Sequence, residues 1–246
     1  MITIYLSPST QESNKYVGGG TEEYYMNLIA DDMVPYLRAN GIKFTRNNPE
    51  KSVSNSIKES NEGVYDFHFA IHSNAAPENL SGKIQGADVY YYGDSEDGKR
   101  MAEIVAKNLK DIYPNPAAVK TVSTTSLAEL SKTNAPGILV ETAFHDNVQD
   151  ANWIRNNISE IAQNFVKSIT EYFGLPFVDK LINRNGVVIT RDDPLNMRSR
   201  PSTDASIILK IPKDSEVKVL GQYRDWYVVE YNNETGYVRS DYINLI

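Results

Sequence analysis

The sequence contains no cysteine, and this absence excludes disulfide bonds, thiolate metal sites and cysteine nucleophiles together. No apolar run approaches the roughly 18 residues that a membrane-spanning helix needs, so we expect no membrane partner. The 25 lysines and arginines are outnumbered by 32 aspartates and glutamates, and the net charge of −7 gives no electrostatic support for binding nucleic acid. Met1 leads directly into the apolar segment "ITIYL" without a charged leader or an apolar leader core, so no signal peptide is expected.

The composition is that of a globular protein, with 41% hydrophobic and 23% charged residues in a chain of 246. Strand-like and helix-like segments alternate up to about residue 175, which predicts an α/β domain over residues 1–175 with a mostly parallel sheet flanked by helices. "LPFVDKLINRNG" is typical of a connector. The short strands that follow, with frequent turn residues, predict a small all-β barrel over residues 184–246.

Two helices of the first domain show a clear apolar stripe. Thr21 is a candidate N-cap for a helix whose apolar positions run from Met26 to Leu37 and which stops at Gly41. A closing helix is predicted from the apolar positions between Ile154 and Phe173, which fall on one face.

Three polar residues are expected at one rim of the predicted sheet. His72 follows the strand "FHFAI", Glu141 follows the apolar strand "GILV", and Glu22 begins the helix after the first strand. In open α/β sheets, sites form outside the carboxyl ends of the strands. Imidazole and carboxylate groups are suitable zinc ligands, and a second carboxylate is a suitable base for water bound to zinc.

Each of these residues also has a more ordinary interpretation. A lone histidine at a strand end is structural more often than catalytic, and Glu22 at a helix N-terminus complements the helix dipole. Glu141 is harder to explain in this way, because a carboxylate at the end of an apolar strand needs a partner. His68 lies about 13 Å from His72 along an extended strand, so we expect His68 to be a packed, hydrogen-bonded histidine and not a second ligand.

Two blocks around these residues resemble a known family. "FAIHSNA" and "APGILVETAFHDN" are similar to signature blocks of the zinc-dependent N-acetylmuramoyl-L-alanine amidases of the family-3 type, and "SLAELSKTNAP" also resembles that family. The resemblance covers about residues 1–175. It implies a peptidoglycan hydrolase that cleaves the amide bond between N-acetylmuramic acid and L-alanine, with Zn²⁺ as cofactor. It implies that Glu22 and His72 are zinc ligands and that Glu141 is the catalytic base.

One departure from the family concerns the third ligand. The family carries a first histidine in a turn after strand one, whereas here the turn is "LSPSTQESN", with Thr10 or Gln11 in that place. The metal is therefore held differently, held weakly or absent. We predict that His145 is the third ligand, with Gln11 as a ligand or water bridge as the alternative and a capping or supporting role as the ordinary interpretation of His145. Asn74, beside His72, is expected to position the substrate, and Gln11 is a further candidate for substrate binding.

The last segment resembles a second family. The stretch from "LNMRSRP" to "TGYVRSDYI" looks like a bacterial SH3-type (SH3b) domain, and such domains commonly bind cell-wall peptides. Some of its aromatic residues are expected in the core and the others on a stacking surface: Tyr223, Trp226, Tyr227, Tyr231 and Tyr237. The two resemblances together imply a monomeric enzyme that acts at the bacterial cell wall, either outside the cell or after release by lysis, and carries its own anchor.

Two other functions fit the same residues. One is a different zinc hydrolase of the wall, such as a peptidase that cuts within the stem peptide. The other is a metal-free, non-catalytic wall-binding protein that lost the metal together with the first histidine. A serine hydrolase is disfavoured, because no G-x-S-x-G turn occurs in the sequence.

Overall fold

A computed structural model describes residues 2–246, and they separate into two compact units. The larger unit comprises Ile2–Met33 and Phe44–Tyr172, and the smaller comprises Val34–Lys43 and Phe173–Ile246. Within residues 2–246, no helix is both long and apolar enough to cross a membrane. The domain limits expected from the sequence, 1–175 and 184–246, stay a prediction.

The larger unit is built on a mixed, mostly parallel sheet. Among residues 2–246 this sheet has six strands in the order β2-β1-β3-β6-β4-β5. Strands β1, β3 and β6 run parallel, β4 runs antiparallel to β6, and β5 runs parallel to β4. The predicted α/β fold class is confirmed. The strands are β1 Thr3–Pro8, β2 Lys43–Arg46, β3 Phe67–Asn74, β4 Ala87–Tyr92, β5 Val119–Thr124 and β6 Gly137–Phe144.

Helices accompany this sheet, and a short one bears on the site. Helix α4 packs on β6 and β4, because Leu130 joins a buried cluster with Ala70 and Leu139. This packing holds the residue beside Leu130, Glu129, over the central strands. The helices are α1 Glu22–Ala39, α2 Val53–Glu62, α3 Glu96–Leu109, α4 Ala128–Ser131, α5 Val148–Asn156 and α6 Ile158–Tyr172.

Helix α1 begins where the sequence predicts. The hydroxyl of Thr21 accepts a hydrogen bond from the backbone N–H of Tyr24 at 3.1 Å, which satisfies one of the free donors of the first turn. Glu22 is therefore the first helical residue, and its carboxylate lies at the positive end of the helix dipole. After Ala39, Gly41 adopts φ +68°, which is typical of a residue that follows a helix end.

The predicted closing helix is in fact two helices, α5 and α6. Asn157 has φ −128°, and its side-chain amide donates to the carbonyl of Trp153 at 2.7 Å. Its own carbonyl accepts from the N–H of Ile161 and so begins α6. The apolar stripe continues across this break, so the helical spacing of the apolar residues did not reveal the break.

The smaller unit contains an antiparallel sheet, which confirms the predicted all-β fold. Among residues 2–246 its seven strands follow the order β13-β7-β10-β11-β12-β8-β9. Its main buried cluster includes Met197, Val219 and Val238. The strands are β7 Lys180–Val188, β8 Leu195–Arg198, β9 Ile207–Ile211, β10 Glu216–Tyr223, β11 Trp226–Tyr231, β12 Glu234–Arg239 and β13 Ile243–Leu245.

Strand β7 begins earlier than the sequence indicates. Its first half, from Lys180, lies in the predicted connector and pairs with β10. The pairing shifts register between Arg184 and Leu181, and Asn183 between them has φ 51°. Such a bulge accommodates an extra residue and breaks the alternation of apolar and polar positions, which is why "LINRNG" resembles a loop.

Candidate active site

His72 and Glu141 are neighbours on the central strands of the larger unit. They are direct partners in the register of β3 and β6, and Asp88 on β4 lies opposite Glu141 on the other side. Residues paired in register share a face of the sheet. Three ionisable side chains from three strands therefore occupy one face near the strand ends, as the sequence predicts for His72 and Glu141.

Both ring nitrogens of His72 contact carboxylates. Nδ1 lies 2.8 Å from Oε1 of Glu22, and Nε2 lies 2.9 Å from Oε2 of Glu129. All three side chains are buried, with His72 6% exposed, Glu129 3% and Glu22 1%. A neutral imidazole can donate from only one nitrogen, so satisfying both carboxylates requires the doubly protonated ring.

Glu129 is the site residue that the sequence did not reveal. Its Oε1 accepts from the Ser7 hydroxyl at 2.5 Å and lies 3.2 Å from Nε2 of His68, while Oε2 faces His72. The remaining ring nitrogen of His68 bonds to the hydroxyl of Ser60 at 2.9 Å. His68 is thus the packed, hydrogen-bonded histidine that we expected, and it reaches His72 through one shared carboxylate. A glutamate between Leu127 and Leu130 was the available signal, but only the packing of α4 shows where it points.

The charges in this cluster stabilise one another. Burial lowers the pKa of His72, but the hydrogen bonds to Glu129 and Glu22 outweigh it and raise that pKa well above its ordinary value. Burial raises the pKa of Glu129, and the hydrogen bonds from His68 and His72 more than reverse this. Burial also raises the pKa of Glu22, and its contacts with His72 and Asn14 bring it below the ordinary value. We therefore assign Glu22 and Glu129 as carboxylates and His72 as an imidazolium at neutral pH.

Glu141 has the opposite electrostatic environment. Burial raises its pKa to about 7; His72 opposes the rise, and the negative charges of Glu22, Asp88 and Glu129 add to it. Among residues 2–246, Oε2 of Glu141 is buried and has no hydrogen-bond partner. A carboxylate in this state can both accept and return a proton near neutral pH, which is the requirement for general acid–base chemistry.

His145 lies close to this cluster but does not join it. Its Nδ1 is 2.9 Å from the carbonyl oxygen and 3.1 Å from the hydroxyl of Ser73, and its ring stacks on Tyr16 with 5.3 Å between centroids. Asp146, the next residue, accepts hydrogen bonds from the N–H groups of Ala76 and Gly82 in the loop after β3. The structure therefore gives His145 a supporting position behind Ser73.

Gln11 and Asn74 lie at the edges of the cluster. The Nδ2 of Asn14 is 2.6 Å from Oε2 of Glu22 and 3.1 Å from Oε1 of Gln11, so Gln11 reaches Glu22 only through Asn14. The amide nitrogen of Asn74 has a long contact of 3.5 Å with Asp88, and its oxygen accepts from the N–H of Ala75. Asn74 thus keeps a weakly engaged amide donor beside His72.

The donor set does not fit the three-ligand zinc centre that the resemblance implies. Within residues 2–246, no group of three or more histidine, aspartate or glutamate side chains is arranged to hold a metal ion. Glu22 and His72 come together, but His145 turns to Ser73 and the predicted set of three is not assembled. Zinc ligands at about 2.0–2.2 Å in tetrahedral geometry lie roughly 3.4 Å apart, whereas the nitrogen of His72 is 2.8 Å from the oxygen of Glu22, a hydrogen-bond distance.

A cavity of about 400 Å³ opens beside this cluster. His72 and Glu129 line it together with the turn after β1 and the start of α2. Most of the remaining lining is polar and small: Ser7, Ser9, Thr10, Gln11, Ser13, Asn47, Ser52 and Ser56. A lining of this kind offers many hydroxyl and amide groups to a polar substrate such as a glycan or a peptide.

The sequence model of the N-acetylmuramoyl-L-alanine amidase family matches residues 6–171, which include the whole cluster around His72 and Glu141. The chain belongs to this amidase family. A model described as a bacterial SH3 domain matches residues 193–244. The amidase LytC of Bacillus subtilis (strain 168) is 27% identical over 164 residues, which are 63% of this chain and 32% of LytC. The chain spans about a third or less of the length of the curated relatives that it matches.

Solved amidases share the fold of the larger unit. AmiC2 of Nostoc punctiforme superposes with a TM-score of 0.63 at 18% identity, covering 70% of this chain and 97% of AmiC2. The catalytic domain of CwlV from Bacillus (Paenibacillus) polymyxa var. colistinus gives a TM-score of 0.61 at 14% identity, covering 71% of this chain and 99% of that domain. At these identities the likeness concerns the fold alone.

The SH3-like barrel of this amidase-family chain has a groove of its own. A cavity of about 700 Å³ is lined by the segment from Thr190 to Asn196, by Arg198, Thr203 and Trp226, and by Arg239, Asp241 and Tyr242. Tyr242 is 46% exposed, and the guanidinium of Arg239 lies 5.9 Å from the ring centroid of Trp226. Among the aromatic residues predicted from the sequence, Trp226 and Tyr237 are core residues, and Tyr223, Tyr227 and Tyr231 pack partly against the core.

Proposed function

We propose that the chain hydrolyses the amide bond between N-acetylmuramic acid and the L-alanine of the peptidoglycan stem peptide. The observation that carries this proposal is the buried, unpartnered oxygen of Glu141, whose carboxyl has a pKa of about 7, beside the cationic His72 in an amidase fold. A buried carboxylate oxygen is normally paired, so the unpartnered Oε2 of Glu141 points to a role in proton transfer.

The chemistry assigned to this chain's residues is a pair of proton transfers. Ionised Glu141 accepts a proton from a water molecule whose oxygen attacks the carbonyl carbon of the lactyl group. Protonated Glu141 then gives that proton to the alanine nitrogen as the C–N bond breaks, which leaves a lactyl carboxylate and a free alanine amine. The weakly engaged amide of Asn74 is suited to hold the carbonyl and to donate to the oxyanion that forms.

Zinc is the cofactor that the resemblance implies for this reaction. In this chain Glu22 and His72 are the two donors that zinc would meet, and the distances and partners described above do not supply a third. The proton transfers are therefore assigned to Glu141, water and the substrate alone.

Labelling of amino termini tests the bond that is cleaved. Purified peptidoglycan is incubated with the protein, and the newly formed amino termini are labelled and identified. The proposal predicts new amino termini on L-alanine. New termini from inside the stem peptide would instead identify a peptidase, which is the other hydrolase that these residues fit.

The pH dependence of hydrolysis provides a separate prediction. Because the pKa of Glu141 is raised to about 7, the carboxyl is protonated and cannot act as a base below that pH. We expect kcat/KM to rise about tenfold per pH unit below pH 7 and to level off above it. The far-UV circular dichroism measured over the same range controls for unfolding, and a profile that is flat from about pH 5 to 9 contradicts the assignment.

We further propose that the barrel holds the enzyme on the wall through the groove beside Tyr242. The exposed ring of Tyr242 is suited to stack on a sugar or peptide, and Arg191 in the same lining is suited to pair with a carboxylate of that ligand. Retention on an insoluble polymer raises the local concentration of the catalytic unit. The site of action is accordingly the bacterial cell wall, with peptidoglycan as the partner.

Co-sedimentation with purified walls tests this anchor. Tyr242→Ala is expected to weaken wall binding roughly 2–10-fold, because one aromatic contact contributes about 0.5–1.5 kcal/mol. Ile207→Ala is the control, since Ile207 is 45% exposed in the same barrel and does not line the groove. Equal loss of binding in both variants, or in neither, counts against the groove.

A second candidate function is a wall-binding protein without hydrolytic activity. The specific observation that favours it is the engagement of both nitrogens of His72 by carboxylates, which leaves no free imidazole at the site. Such a protein binds walls as tightly as the proposed enzyme but forms no new amino termini.

A further inference from the structure

The contacts of His72 are complete within the protein. One ring nitrogen faces Glu22 and the other faces Glu129, at 2.8 and 2.9 Å. Both distances are those of charge-assisted hydrogen bonds. A metal ligand needs a free lone pair on one ring nitrogen, and here each nitrogen is directed at an oxygen that can only accept.

Each carboxylate around His72 is also held from its far side. The Oε2 of Glu22 accepts from Asn14 at 2.6 Å. The Oε1 of Glu129 accepts from Ser7 at 2.5 Å and contacts His68, which in turn bonds to Ser60. These hydrogen bonds form a continuous chain from Ser60 to Asn14, and every link except the last is made between buried side chains. To bind a metal, Glu22 or His72 would have to leave a satisfied partner.

We infer that Glu129 makes this centre metal-independent: with Glu22 it clamps His72 by both ring nitrogens, so that an imidazolium occupies the position of the cation. Two buried carboxylates need a positive charge between them, and His72 supplies it from within the chain. Glu129 is thus a positioning residue that fixes the ring of His72, and the site needs neither a first histidine nor a zinc ion to assemble.

Three measurements on the full-length wild-type protein test this inference, and none depends on hydrolysis. After dialysis against metal-free buffer and then against excess zinc, we expect far less than one firmly bound zinc per chain by elemental analysis. We expect a chelator to change the midpoint of thermal unfolding by less than about 1 °C. If the protein did bind zinc, and free zinc were at about 100 times the dissociation constant, its removal would lower the midpoint by roughly 5–10 °C. We expect nitrogen NMR of the His72 ring to show protons on both nitrogens at neutral pH.

Two variants assign the effect to Glu129. Glu129→Gln keeps the size of the side chain and removes its charge, so the ring of His72 is expected to lose one of its two protons at neutral pH and the thermal midpoint to fall. Glu103→Gln is the matched control, because Glu103 is an exposed residue of helix α3 and should change neither the ring nor the midpoint. If Glu129→Gln does not fold, the three wild-type measurements still decide the question.

Stoichiometric zinc that survives dialysis, a midpoint that falls on chelation, or a His72 ring with one unprotonated nitrogen would each overturn the inference. None of these measurements depends on hydrolysis. The inference of metal independence can therefore be wrong while the proposed amidase activity is right, and the activity can be absent while the inference is right.

Discussion

Glu141→Gln is expected to lower peptidoglycan hydrolysis by about 10²–10⁴-fold, the usual contribution of a positioned general acid–base group. The amide of glutamine has the size of the carboxyl but cannot accept a proton from water. Because Oε2 of Glu141 is buried without a partner, removing the charge should leave stability unchanged or slightly increased. Release of new amino termini from purified walls measures the activity, and a thermal unfolding scan measures the stability.

The control for this substitution is Glu160→Gln. Glu160 is exposed on helix α6. The Glu160→Gln protein should therefore hydrolyse walls at the wild-type rate. Wild-type activity in the Glu141→Gln protein would show that Glu141 is not the general acid–base group. Loss of activity together with loss of folding would leave its catalytic role without support.

Glu129→Ala is expected to give the largest loss of stability, about 3–5 kcal/mol of unfolding free energy, because it removes one partner from a buried ion pair. The substitution leaves His72 with one carboxylate and leaves Ser7 and His68 without their acceptor. Urea unfolding followed by the fluorescence of Trp153 reports on the larger unit. A Trp226→Phe background removes the other of the two tryptophans in the sequence.

The pH dependence of this loss provides an internal check. The folded-state pKa of Glu129 lies below its unfolded value of about 4.3, so its stabilising effect is complete above that pH and is lost as the pH falls further. The difference between wild type and Glu129→Ala should therefore narrow below about pH 4. Glu103→Ala, an exposed change, should stay within about 0.5 kcal/mol of wild type. A Glu129→Ala protein as stable as this control contradicts the clamp around His72.

Much of the fold follows from local patterns in the sequence. The apolar segments that end at His72 and Glu141 predict two buried strands, because parallel strands covered on both faces have nearly continuous apolar runs. The rule that sites form at the carboxyl ends of such strands predicts that both residues lie at one rim of the sheet. The direct pairing of His72 with Glu141 was not predicted and comes from the structure. The N-cap at Thr21 was also predicted, because it depends only on residues that are close together in the sequence.

The features that the sequence did not reveal depend on contacts between distant residues. Glu129 lies 57 positions from His72, and its side chain reaches the site only because Leu130 packs α4 on the sheet. The break at Asn157 and the bulge at Asn183 are single-residue backbone changes inside patterns that otherwise continue. The roles of His145 and Gln11 as metal or substrate groups stay predictions. In the structure, His145 contacts Ser73 and Gln11 contacts Asn14.

The central claim is that this amidase-family chain is a hydrolase and not solely a wall-binding protein. Mass spectrometry of a soluble muramyl peptide that begins with L-alanine, incubated with the wild-type protein with and without added zinc, tests it most directly. The account predicts that the muramyl peptide is split into a muramyl sugar with a free lactyl carboxylate and a peptide with a free alanine amine. An intact muramyl peptide under both conditions, from a protein that still binds walls, would contradict the claim and favour the binding protein.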